Sequence, residues 1–104
     1  MNYKETINEK TYMYLIWELE EGRLETKLLV PLFQFLINEG HVWNLQNFYG
    51  AFAMELIEEG KCVFGESSIR SAYRGYYPSR YEIEADEPGS LQYQRKRGYD
   101  LIRI

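Results

Sequence analysis

The chain holds one imidazole, His41, one thiol, Cys62, and two adjacent glutamate pairs, Glu20-Glu21 and Glu58-Glu59. Acid-base, nucleophilic or metal chemistry would have to be assembled from these side chains. A nucleophile needs a base beside it, and a zinc site needs three or four ligands at close spacing. His41 stands between Gly40 and Trp43 in a helix connection, which reads as a surface or capping position. Cys62 follows Gly60-Lys61 and reads as a small hydrophobe at a core edge. The glutamate pairs read as solvated helix ends. No phosphate-cradling glycine loop or dinucleotide fingerprint occurs, so no catalytic residue, metal or cofactor is expected, and the chain is expected not to be an enzyme.

A second set of residues could work by contact. Tyr73, Arg74, Tyr76, Tyr77, Arg80 and Tyr81 interleave cations with rings, and Arg95, Lys96 and Arg97 add a basic turn. Such a mixture suits single-stranded nucleic acid or a protein interface, where Tyr, Trp and Arg dominate the energetics. The competing reading has the tyrosines packing a thin sheet and the arginines pairing with nearby glutamates. Residues 65–104 carry six acids against seven bases, whereas residues 1–64 carry ten against five. The tail is thus nearly neutral and the front acidic, although too mildly for a dense mimic of nucleic acid. A helix-turn-helix reading fails on the segment Leu45–Glu59, which has no Lys or Arg.

The elements that position these residues follow from periodicity. Thr6-Ile7-Asn8-Glu9 has capping-box spacing, and Tyr12, Leu15, Ile16 and Leu19 form one apolar stripe, with Gly22 as the stop. A second helix is expected from about Leu24 to Asn38, with a kink or a late start at Pro31 and a stop at Gly40. The third is expected from an N-cap at Asn44 to Gly60, with Trp43 and Phe48 at hydrophobic-staple spacing. Gly50 within it implies either room for a close neighbour or a tolerated surface glycine.

Beyond Gly65, Ser67 or Ser68 could start a short helical turn reaching Tyr73, which Gly75 and Pro78 would break. Tyr81, Ile83 and Ala85 alternate with glutamates, Asp86-Glu87-Pro88-Gly89 is turn chemistry, and Leu91 and Tyr93 resume the alternation. Arg95 to Gly98 reads as a second turn before a strand over residues 99–104. The expected fold class is α+β: one domain over 1–104, with a compact three-helix N-terminal unit (1–64) and then a small antiparallel β-hairpin or meander (65–104).

The 104 residues carry a net charge of -4 and 16% aromatics. The N-terminal residues do not resemble a signal peptide and no apolar run approaches the ~20 residues of a bilayer span, so a soluble, cytoplasmic protein with no membrane partner is expected. A lone cysteine fits a reducing compartment.

The string Glu21-Gly22, Leu24, Leu32-Phe33-Gln34, Leu36-Ile37, Gly40, Trp43, Leu45-Gln46, Tyr49-Gly50, Ala53, Leu56-Ile57, Gly60 resembles a family of small proteins of tailed phages and phage-like metagenomic sequences without an assigned function. It spans about residues 18–60. The family pattern has a glycine after Leu-Gln and an arginine after Tyr-Gly, where this chain has Asn47 and Ala51. The resemblance implies a phage origin and a host-cell setting. Together with the aromatic surplus it leads to the expectation of a phage accessory protein that binds a host or phage protein, such as a defence complex, or itself as a homodimer. The alternative is RNA or single-stranded DNA binding through the Tyr/Arg-rich tail.

Overall fold

The computed structural model describes residues 6–46, 48–71 and 75–98. Three main helices precede a two-stranded antiparallel sheet in an α+β fold: α1 (Tyr12–Glu20), α2 (Leu29–Asn38), α3 (Tyr49–Glu58), β1 (Ile69–Ser71) and β2 (Gly75–Tyr77), followed by a short α4 (Leu91–Lys96).

The helix α1 starts later than the capping-box spacing suggests. Glu9 does not reach back to Thr6; its carboxylate meets His41 at 2.8 Å. Asn8 organises the turn instead, its side chain accepting from the Lys10 amide at 2.8 Å and its carbonyl from the Tyr12 amide at 2.9 Å. Leu15 and Ile16 point into the core. The helix ends as expected at Gly22, which sits at φ 75°, with its amide bonded to the Leu19 carbonyl and that of Arg23 to Glu18. This pattern satisfies carbonyls that a helix end otherwise leaves open.

Pro31 resolves as a late start. A 3-10 turn at Thr26–Leu28 leads into α2, and Pro31 is the third helical residue, where its missing N–H costs no helical bond. The same helix buries Leu32, Phe33, Gln34, Leu36 and Ile37. Its terminal Gly40 has φ 79°, and a Cβ there would collide with the Ile69 side chain. The positive φ is what favours glycine at this position.

Two expectations for α3 are corrected and one alternative is removed. A 3-10 turn occupies His41–Asn44, and α3 begins at Tyr49 with Phe48, not Asn44, at the N-cap position. Asn44 instead accepts a hydrogen bond from the Ser71 hydroxyl at 3.1 Å. No staple joins Trp43 to Phe48: Trp43 is buried and stacks on Tyr77, with ring centroids 3.9 Å apart, whereas Phe48 is half exposed and stacks on Tyr49 at 4.4 Å. Gly50 is buried in the first turn of α3, which removes the reading of a tolerated surface glycine.

The tail departs most from expectation. The sheet pairs Ile69 with Tyr77, Arg70 with Tyr76 and Ser71 with Gly75, so β1 lies where a helical turn was expected. Residues 81–85, expected as a strand, form turns, and Leu91 to Lys96 is helical. Ser90 explains the helix: its hydroxyl accepts from the Tyr93 amide at 3.1 Å and donates to the Ala85 carbonyl at 2.7 Å. The strand expected over residues 99–104 lies outside the described residues.

The core gathers α2, α3, the 3-10 turn and the segment Cys62–Phe64 around Leu32, Phe33, Leu36, Val42, Ala53 and Ile57. Among the described residues no helix is long and apolar enough to cross a membrane.

Candidate interaction surface

The tail residues picked out for binding are largely engaged within the fold. Arg80 is only 7% exposed. Its Nε donates to the Phe64 carbonyl at 2.8 Å, a terminal nitrogen donates to Asn38 Oδ1 at 3.0 Å, and its amide donates to the Gly65 carbonyl. The guanidinium therefore holds the C-terminal end of α2 and the strand-like segment after α3, where the helix dipole favours a cation. Tyr77 lies against Trp43. Arg97 donates to the Glu59 carbonyl at 3.3 Å and covers Gly60, and Lys96 pairs with Asp86 at 3.1 Å. Arg95 is exposed. Tyr73 and Arg74 lie outside the described residues.

Two of the selected rings do face solvent, Tyr76 and Tyr81. The Tyr76 hydroxyl donates to Glu82 Oε2, and Glu82 Oε1 accepts from the Ser79 amide at 3.0 Å. The Tyr76 bond, followed by that of the Ser79 amide, holds the Glu82 carboxyl below the usual range. Arg70 lies 5.6 Å from the Tyr76 ring. These contacts tie the hairpin to the following turn.

Two glutamines complete the tail's internal role. Gln34, fully buried, donates to the Val63 carbonyl at 3.0 Å and accepts from the Val63 amide at 2.9 Å, pairing with the backbone as a neighbouring strand would. Gln94 donates to the Lys61 carbonyl at 3.1 Å, while the Tyr93 hydroxyl donates to that of Glu58 at 2.7 Å. Polar tail and α2 side chains thus satisfy the backbone of residues 58–65, which has no sheet partner among the described residues.

Three of the exposed large hydrophobic residues lie together on α1. Met13, Tyr14 and Trp17 are 57%, 61% and 48% exposed. At 100° per residue they fall opposite Leu15 and Ile16, so α1 is apolar on both its buried and its outward sides. Tyr14 and Trp17 rings lie 5.9 Å apart, and the Arg23 guanidinium sits 4.4 Å above the Trp17 ring while pairing with Glu18 at 3.5 Å. Cation–π contact at an exposed site contributes about 0.5–1 kcal/mol and fixes the ring's orientation. The signal was present in the sequence, as three large apolar residues on the wrong side of the Leu15/Ile16 stripe. At one flank Glu20 accepts from the Tyr49 hydroxyl at 2.6 Å. Burial first, and then this bond to a carboxylate, push the Tyr49 pKa well above its ordinary value.

The reactive side chains are elsewhere and separately occupied. His41 stacks on Tyr12 with centroids 4.6 Å apart and meets Glu9, joining α1 to the 3-10 turn. Cys62 is buried, with Sγ 3.8 Å from the Val30 carbonyl, and burial pushes its thiol up to about 12. Among the described residues no three His, Cys, Asp or Glu side chains gather as a metal site would require.

No curated protein and no solved structure shows a significant match to the chain. A family described as a domain of unknown function (DUF7417) matches residues 13–72, from the outward face of α1 through all three main helices to the hairpin's first strand. The chain therefore belongs to the DUF7417 family.

Proposed function

We propose that this chain acts by binding another protein through the outward face of α1, without bond-breaking chemistry. The observation that carries this reading is the exposure of Met13, Tyr14 and Trp17 side by side on a helix whose other side is already buried. A helix apolar on both sides normally has both sides covered, and exposed apolar patches mark interaction sites. Trp and Tyr, with an arginine stacked on them, are the residue types that anchor interfaces. The setting follows from the resemblance to small tailed-phage proteins: a phage accessory protein in the host cytoplasm, whose partner is a host protein such as a component of a defence complex, or a second copy of itself.

Nucleic-acid binding through the tail has less support. It needs Tyr77 and Arg80 at the surface, where they would meet bases and phosphates, and both are committed to internal contacts. Affinity capture from host lysate, comparing the native chain with Trp17→Glu, tests the reading. The expected result is a protein retained by the native chain and lost by the variant. Equal capture by both, or a partner lost only when tail residues such as Tyr81 and Arg95 are replaced, would overturn it.

A further inference from the structure

The outward face of α1 has an internal symmetry that points to its occupant. Lys10, Tyr14, Trp17 and Glu21 follow one another at intervals of four, three and four residues, a spacing that reads the same from either end. The helical phase reaches back to Asn8, since the Tyr12 amide bonds to the Asn8 carbonyl, and it continues to Glu21, whose amide donates to the Trp17 carbonyl. All four residues are exposed on one side, with the rings in the middle and opposite charges at the ends.

Building on the reading of this face as a binding surface, we infer that the face pairs with a second copy of itself, α1 against α1 in antiparallel orientation about a two-fold axis between Leu15 and Ile16. In an isologous antiparallel pair the residues facing each other have numbers that add to a constant, and a two-fold interface must be self-complementary in this way. With the axis between Leu15 and Ile16, Tyr14 faces Trp17 of the other copy and Lys10 faces Glu21, each contact occurring twice. Aromatic rings then meet at the centre, where desolvation is complete, and the ion pairs close the rim. Met13 sits beside the central rings and extends the apolar area. A parallel pairing would instead set Lys10 against Lys10 and Glu21 against Glu21, which charge repulsion disfavours. The Arg23–Glu18 pair stays within each copy and holds the Trp17 ring in place.

Charge exchange across the interface tests the arrangement with the full-length chain. Sedimentation velocity over a concentration series should show a reversible monomer–dimer equilibrium. Trp17→Glu should weaken it by at least about thirtyfold, as loss of a central anchor does. Lys10→Glu alone and Glu21→Lys alone should each weaken it by about fivefold, the scale of two exposed ion pairs. Mixing those two single variants should restore association, since one then carries two acids and the other two bases at opposing positions. The inference is overturned if the native chain stays monomeric up to millimolar concentration, or if it dimerises but Trp17→Glu or the mixed variants behave as the native chain does. A monomeric native chain that still loses a captured host protein on Trp17→Glu would reject self-pairing and leave the binding reading intact.

Discussion

The tail and the first helix exchange the roles that their compositions suggest. The tail has the interface vocabulary, with rings and guanidinium groups in close alternation, yet Arg80, Tyr77, Tyr93 and Gln94 turn inward, and Arg97 reaches along the surface to Glu59, to hold the backbone of residues 58–65 and the 3-10 turn. The helix α1 reads as plain scaffold, yet Met13, Tyr14 and Trp17 stand in solvent. Residue type says which contacts a side chain can make. Only the geometry says which contacts are still available, and a binding surface consists of the available ones.

The largest effect should come from the internal pairing. Gln34→Ala strips both partners from the buried Val63 amide and carbonyl, and each unsatisfied group costs about 1–3 kcal/mol, so a loss of about 3–5 kcal/mol is expected in denaturant unfolding. Next, Arg80→Ala removes the clamp on Phe64 and Asn38, with an expected loss of about 2–4 kcal/mol and no loss of α1-mediated binding. If Arg80→Ala were neutral to stability and abolished binding, the assignment of the two regions would be reversed.

The thiol provides a third test. Native Cys62 should resist thiol reagents at neutral pH and react once the chain unfolds, because burial keeps it protonated. Its folded pKa is raised, so its contribution to stability is complete below the unfolded value of about 8.5 and is lost as the pH climbs towards about 12. The free energy of unfolding should therefore fall on the alkaline side, less so for Cys62→Ala.

The smallest effect belongs to the exposed hairpin tie. The Glu82 carboxyl is held low, so its contribution is present above the ordinary carboxylate range and fades as the pH falls through its depressed folded value. Carboxyl NMR titration should find Glu82 titrating below the usual glutamate range, and Tyr76→Phe should bring it back up. An unchanged Glu82 titration in Tyr76→Phe would remove the tie.

Where the sequence was legible, one residue decided the local geometry. Gly22, Gly40 and Gly60 all take positive φ at helix ends, and Pro31 forces α2 to begin just before it. The tail was misread because alternation over five residues is weak: Tyr81, Ile83 and Ala85 satisfy a strand pattern, but turns won, held by Ser79, Ser90 and Glu82. The six residues of α4 are too few to show a helical period, and the Ser90 cap that starts them carries no glutamate three residues on. Capping signals failed at Thr6 and Asn44 for a shared reason. Glu9 is drawn to His41 and Asn44 to Ser71, partners distant in sequence that no local pattern contains. The α1 face is legible in the sequence as Met13, Tyr14 and Trp17, a second apolar stripe opposite that of Leu15 and Ile16.

The division between a tail spent on internal support and a helix face kept for contact is tested most directly by measuring Trp17→Glu twice, once for thermal stability and once for association. An exposed side chain whose internal contact is the Arg23 stacking predicts unfolding free energy within about 1 kcal/mol of the native chain together with loss of association. A variant that melts far below the native protein, or that associates as well as it does, would contradict the account.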